Sequence, residues 1–251
     1  VLIYLEMSVT SMSSRASAAT IEAARAGWNA WRAERLASVL APQGNLALVE
    51  TLWPAPGEEV SPEEALAGRP WSVTATRIER SHITTGEPEH GIRLWDADAP
   101  AVRHFETIDV FPFAPEWVVE AVFTPVSDAR RLPFEHVQDA GGTRDHAVPG
   151  DITFTLDGTP YNLAAFDDGG TLLLVVGDRT NGSVTYGGGR FLTVEPEPGG
   201  RVVLDFNRAF APPCAFSPFY NCPLPPPRNR LDVPVEAGEK LPVFRDGFLP
   251  H

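Results

Sequence analysis

Lysine is almost absent from this chain. Of 20 basic residues only Lys240 is a lysine, and the rest are arginine. A guanidinium supplies positive charge everywhere else, so the lone lysine marks a position where an ammonium is wanted. Cysteine is scarce too. Cys214 and Cys222 are too few for a disulfide framework, which a chain of 251 residues does not need. Seven residues separate them, a spacing that matches neither a zinc knuckle nor a redox pair. The six histidines (His82, His90, His104, His136, His146 and His251) are scattered, with no His-x-His or His-x-x-x-His. No metal and no cofactor is therefore expected.

Other absences exclude further classes. No apolar run approaches the ~20 residues needed to cross a bilayer. The triple glycine before Arg190 lacks the G-x-x-x-x-G-K-[ST] frame of a phosphate loop and reads as a tight bend or bulge. There is no G-x-S-x-G elbow, so Ser183 and Ser217 have no visible triad. Acidic residues outnumber basic ones 33 to 20, and the net charge of −13 repels phosphate backbones and anionic lipid. The expected partner is a small-molecule ligand or substrate, with no nucleic acid and no membrane; a homodimer is left open. The opening VLIYLEM is apolar but short, and no basic segment precedes it. It does not read as a secretory signal, so the cytoplasm is the expected location. A valine at position 1 places the start at Met7 or Met12. Residues 1–16 are accordingly read as a disordered or mis-assigned extension to a single β-rich domain at 17–251.

A hydrophobic fraction of 43% is ample for one core. Residues 18–40 repeat Ile21, Ala24, Trp28, Trp31, Leu36 and Leu40 at helical spacing, with Arg25, Arg32, Glu34 and Arg35 mostly on the other side. Pro42 and Gly44 end that helix. Trp28 and Trp31 read as core anchors. Ser61-Pro62 opens a short helical turn. Elsewhere the pattern is of strands at 46–52, 71–79, 91–95, 117–124, 152–156, 161–166, 171–176, 190–194 and 201–206. Asp157-Gly158, Asp167-Asp168-Gly169-Gly170 and Glu197-Pro198-Gly199-Gly200 mark the turns of a meander. The run TLLLVV does not alternate and should be covered on both faces. The fold class is mainly β: an antiparallel barrel or sandwich with an N-terminal helix and a Pro-rich irregular strap.

That strap is the segment 212–234, which holds eight prolines. It can be neither helix nor central strand, so its carbonyls and amides need side-chain partners. Around it stand, in order, Gly189-Arg190-Phe191-Leu192, Val203-Leu204-Asp205-Phe206-Asn207, Pro212-Pro213-Cys214-Ala215-Phe216, Cys222-Pro223-Leu224-Pro225-Pro226, Asn229-Arg230-Leu231 and Ala237-Gly238-Glu239-Lys240. With Gly177-Asp178-Arg179-Thr180 and Thr185-Tyr186 upstream, this series resembles the signature of an uncharacterised prokaryotic family, domain of unknown function 1684. The resemblance spans roughly residues 25–242 and is strongest over 177–240. It departs from the family pattern at Ala211, where that pattern has asparagine, and at Asn45, where it has tryptophan. The family implies ancestry and no established reaction.

Two readings of the signature stay open. In one, its polar side chains clamp the strap. In the other, they form a pocket for a carboxylate- or carbonyl-bearing metabolite, and the protein is a small-molecule enzyme. Lys240 or Asp205 would be the base, assisted by Glu239, because a desolvated lysine or an ion-paired carboxylate can take up a proton. Arg190 would be the anion anchor. Asp178, Tyr186, Asn207 and Asn229 would be further substrate contacts. A non-catalytic ligand-binding barrel is the alternative. Cys214 and Cys222 are buried thiols, a small disulfide loop or a reactive pair. Arg93 on the 91–95 strand is a lesser polar candidate, and His104 and His136 read as surface or satisfied histidines.

Overall fold

The computed structural model describes residues 14–55, 57–83, 85–126, 130–168 and 171–250. The candidate starts Met7 and Met12, the Gly169-Gly170 turn and His251 lie outside the described residues. Helix α1 (Ala18–Leu40) begins where expected, because the Ser17 hydroxyl accepts the Thr20 amide at 3.2 Å. Ser61 and Glu64 form a reciprocal capping box on α2 (Pro62–Leu66). A further short helix, α3 (Pro100–His104), precedes β4 (Phe105–Val110).

Six strands build the main sheet: β5 (Val118–Pro125), β8 (Gly150–Leu156), β9 (Thr159–Asp168), β10 (Thr171–Val176), β11 (Arg190–Val194) and β12 (Arg201–Asp205). Their order is β11-β10-β9-β8-β5-β12, antiparallel throughout. The expected meander is present, and Asp157 (φ 45°) and Gly158 (φ 82°) make the tight turn between β8 and β9. The two edge strands are consecutive in the chain, and the sheet curls until Phe191 on β11 exchanges backbone hydrogen bonds of 2.9 and 2.8 Å with Phe210, just beyond β12. The result is a half-barrel. Its interior holds Ile152, Leu163, Leu174, Leu192 and Leu204, all buried. From Leu172 on, β10 is buried without alternation, as its sequence requires.

A second sheet of three strands, β1 (Leu48–Leu52), β3 (Pro88–Asp96) and β2 (Val73–Ser81), has β3 in the centre. Two pairs of strands escape the sequence pattern: β4 with β13 (Glu239–Phe244), and the hairpin of β6 (Arg131–Glu135) and β7 (Thr143–Ala147). Each pair carries a proline, Pro242 or Pro133, which a two-stranded ribbon tolerates because each strand has a free edge.

Two corrections follow. Residues 14–16 belong to the fold: Ser14 N donates to Thr155 O (3.1 Å), and Ala16 N to Val118 O (3.1 Å). Arg35 does not take the outer face of α1. It turns inward to Glu239, Asn45 and Ala211, whereas Leu40, expected on the apolar face, is 46% exposed. Trp28 does anchor the helix, packing edge-on to Phe113 at 5.8 Å.

Candidate functional site

The strap passes over the half-barrel, and side chains satisfy its backbone along the way. Arg190 is 2% exposed. Its Nη2 donates to Asp178 Oδ2 and to Val235 O, both at 2.8 Å, and its Nη1 donates to Ala237 O and to Glu239 O. Asp178 in turn accepts the Thr180 amide (2.8 Å) and hydroxyl (2.6 Å) and the Val235 amide (3.2 Å). Gly189 lets the strap come this close. Its φ is +86°, and a Cβ there would lie 2.5 Å from Pro225 Cγ. The last glycine before Arg190 thus serves a close approach of backbone to strap.

Asn229 shows the same logic at another point. Strands β9 and β10 pair only as far as Phe166 and Leu173 and then part. The Asn229 carboxamide fills the gap, accepting from Ala164 N (2.8 Å) and donating to Ala164 O (2.8 Å) and Val175 O (3.0 Å). Asn229→Ala would strand three buried backbone groups and is expected to cost about 3 kcal/mol, read as a lower urea midpoint. A loss below about 1 kcal/mol would show that water replaces the amide.

Asn207 clamps the chain at Ala114 in both directions, at 2.7 and 3.0 Å. Asp205 accepts from Asn207 N (3.1 Å) and Nδ2 (3.0 Å), and its second oxygen lies 3.3 Å from Arg208 Nε. Burial pushes the Asp205 carboxyl above the ordinary carboxylate range. Glu239 is 2% exposed, and its carboxyl too is raised by burial. It accepts from Arg35 Nε (3.0 Å) and Ala211 N (2.8 Å). Arg35 also bonds Asn45 Oδ1 (3.2 Å) and Ala211 O (2.9 Å), so the two departures from the family pattern meet at one guanidinium. Tyr186 packs beside the cysteines, and burial pushes its phenol up to about 12.

Lys240 stands apart. Its ammonium reaches outward to Asp109 Oδ2 at 3.1 Å and lies 5.0 Å from the Phe111 ring centre. The structure therefore brings Arg190, Asp178 and the Glu239 backbone together but does not place Lys240 or Asp205 with them in a pocket. These residues fasten strap to barrel.

A cleft of about 790 Å³ opens at a different part of the strap, between β2, the β6–β7 hairpin and the loop carrying Phe219 and Asn221. The hairpin is seated there by Val137 N to Cys222 O (3.0 Å) and Leu224 N to Glu135 O (2.7 Å). Arg144 ties it to β2, donating to Ser81 O (2.7 Å) while gripping Asp139 at 2.7 and 3.0 Å.

Strand alternation aims Arg93 at this cleft. Ile92 and Leu94 bury themselves against α2, so Arg93 and Trp95 face the other way, toward Tyr220. The Arg93 guanidinium lies 5.0 Å from the Tyr220 ring centre, and its buried Nε has no hydrogen-bond partner. Arg80 and Arg144 also line the cleft, but each is held by its own carboxylate, Glu89 and Asp139. Among the described residues Arg93 has no carboxylate partner.

Two histidines face each other on the hairpin, with Nε2 of His136 and His146 3.2 Å apart and the rings stacked at 5.1 Å. His136 Nδ1 lies 3.1 Å from Phe134 O and so carries a proton. His136 Nε2 then accepts from His146 Nε2–H, which leaves the lone pair on His146 Nδ1. Burial, then the charges of His136, Arg131 and Arg144, lower His146 to about 4, and burial lowers His136 as well. Both rings are neutral at pH 7.

Sequence reasoning identified Arg93 as a polar candidate and missed His146, Arg144 and Gln138. It read His136 as surface or satisfied, and the ring is satisfied: it is 6% exposed, with Nδ1 3.1 Å from Phe134 O and Nε2 3.2 Å from His146 Nε2. Ten positions separate the two histidines, and the hairpin register sets Leu132, not His136, opposite His146, so the fold and not ladder pairing makes their contact. The turn signal Asp139-Ala-Gly-Gly was the one available clue.

A curled antiparallel half-barrel laced by a proline-rich strap defines a mainly β domain. Within that class the chain belongs to the family described as a protein of unknown function, DUF1684, whose model matches residues 103–240. The chain is also similar to an uncharacterized protein of Haloarcula marismortui known from a solution NMR structure. The identity is 34%, over 54% of this chain and 77% of that one, with a TM-score of 0.45. No curated protein matches. Among the described residues no helix is long and apolar enough to cross a membrane, and no group of three or more His, Cys, Asp or Glu is placed to hold a metal ion.

Proposed function

We propose that the protein is a small-molecule enzyme whose substrate carries a carboxylate beside a carbonyl or hydroxyl carbon and binds in the Arg93 cleft. The observation that carries this reading is the Arg93 guanidinium, unmatched by any carboxylate among the described residues of a chain of net charge −13. An unpaired, half-buried cation among Tyr220, Trp95 and Phe219 favours a small anion with an apolar body. His146 Nδ1, at the hairpin wall of the same cleft, supplies a base. A proton taken there lets Nε2–H pass its own proton to His136, whose ring lies 3.9 Å from the Asp139 carboxylate.

Thermal shift followed by calorimetry against mono- and dicarboxylic acids of two to six carbons tests the anchor. At least one is expected to bind at micromolar to low millimolar strength, and Arg93→Leu to weaken it by about tenfold to a hundredfold. Absence of any binder in the set sinks the reading. For a binder, proton NMR in deuterium oxide should show exchange of the C–H next to the carbonyl. His146→Gln is expected to abolish the exchange with binding retained. Binding without exchange would identify the non-catalytic alternative.

A further inference from the structure

The two thiols bracket the loop whose Phe219 and Asn221 line the cleft. Cys214 and Cys222 are free and buried, at 2% and 5% exposure. Each sulfur accepts the other residue's backbone amide: Cys214 N donates to Cys222 Sγ at 3.3 Å, and Cys222 N to Cys214 Sγ at 3.2 Å. This reciprocity holds the side chains against each other across the two limbs of a loop. The loop between them carries Phe219 and Asn221 into the cleft wall. Gln138 Nε2 donates to Tyr220 O at 2.9 Å and fixes it from outside.

The pair is also electrically unequal. The hydrogen bond from Cys222 is the main influence that lowers the Cys214 thiol, and the same bond, with burial, pushes Cys222 upward. One sulfur is thus the better nucleophile, and the other keeps its proton. The Cys214 thiol donates to Tyr220 O at 3.3 Å, and the Tyr220 ring lies 5.0 Å from the Arg93 guanidinium that lines the cleft, so a single residue separates Cys214 from the cleft cation.

We propose that Cys214 and Cys222 form a redox-active dithiol, oxidised to a disulfide by a small hydroperoxide that enters through the Arg93 cleft. Cys214 sulfur attacks the terminal peroxide oxygen. The O–O bond breaks, the hydroxyl stays on sulfur as a sulfenic acid, and the remaining oxygen leaves as an alcohol, or as water from hydrogen peroxide, with the thiol proton. Cys222 sulfur then attacks the sulfenic sulfur, and its proton departs with the hydroxyl as water. Two thiols and one hydroperoxide give one disulfide, one alcohol and one water, with two electrons passing from sulfur to peroxide. The new bond closes the loop that carries Phe219 and Asn221 and stiffens that wall of the cleft. This chemistry does not depend on the cleft taking a carboxylate.

The test uses the full chain, reduced, freed of reductant and treated with a small excess of hydrogen peroxide. It is then alkylated under denaturing conditions and weighed intact and as peptides. The expected product is unalkylated and two hydrogen masses lighter, with a Cys214–Cys222 link that dithiothreitol reverses. Cys222→Ser should leave a sulfenic acid on Cys214 that dimedone traps, and Cys214→Ser should leave Cys222 unoxidised. Arg93→Leu, which leaves both thiols in place, should slow disulfide formation several-fold. Full alkylation of both cysteines at a peroxide dose that consumes free glutathione overturns the proposal. So does an unchanged rate in Arg93→Leu, or dimedone on Cys222 alone. No carboxylate is present in these assays, so their outcome is separate from the binding experiments.

Discussion

Arg190→Leu is expected to destabilise the protein by about 3–5 kcal/mol, the range for breaking a buried ion pair from one side. Its partner Asp178 has a side chain only 1% exposed and would keep a charge with no cation near it. The carbonyls of Val235, Ala237 and Glu239 would lose their donors in the same step, although water can reach them only if the strap lifts. A domain of this size is stable by about 5–15 kcal/mol, so the variant sits near its unfolding threshold at 37 °C. Urea unfolding followed by tryptophan fluorescence reads the loss. Arg190→Leu combined with Asp178→Leu should recover part of it, since the double change leaves no orphaned charge. A single-variant loss below about 1 kcal/mol would mean that the guanidinium is not what holds the strap.

The second large effect is loss of stability in acid through the histidine pair. Burial and neighbouring cations hold His146 at about 4 in the folded protein, against 6.5 for a free histidine. The folded pKa is depressed, so the unfolded chain binds more protons in this range. The contribution is complete above pH 6.5 and is lost as the pH falls toward 4, amounting to about 3 kcal/mol at 1.36 kcal/mol per pKa unit. His136 is lowered in the same direction and adds to the slope. Asp139 and Asp151, also depressed through their arginine partners, have the same sign but act lower, below the ordinary aspartate value of 3.8. Asp205 and Glu239 are raised by burial and act oppositely. Their contributions are present below the ordinary carboxylate values and lost as the pH rises through the folded ones. Denaturation midpoints measured from pH 7 to 4 should therefore fall, and His146→Gln should flatten the curve. A wild-type curve already flat between pH 6.5 and 4.5 would show that the imidazoles reach water.

The two predictions probe opposite ends of one device. Arg190, Asn229 and Glu239 fasten a chain segment whose prolines prevent it from bonding to a sheet. Fixing the strap also fixes Phe219, Tyr220 and Asn221, and these stand against Arg93 and the hairpin. The signature residues therefore act on the cleft at a distance, by holding its wall. On the proposed function, a substitution such as Arg190→Leu should lower activity only in proportion to unfolding, whereas Arg93→Leu should lower binding in a fully folded protein.

Much of this protein could be read from its sequence. Period-two alternation, the Asp157-Gly158 turn, the capped helix at 18–40 and the unalternating TLLLVV run are local signals, and each is found where chain chemistry places it. The dense prolines alone dictated a strap with borrowed hydrogen-bond partners. Tertiary structure decided the rest, because it depends on what lies opposite what. A guanidinium is the same group at Arg190, where carbonyls and Asp178 surround it, and at Arg93, where no carboxylate among the described residues does. Lys240, singled out by its rarity, reaches Asp109 on the neighbouring strand β4, at the register shift that sets the buried Glu239 apart from the rest of β13. Residues distant in sequence supply the missing or balancing charge, and only the fold brings them near.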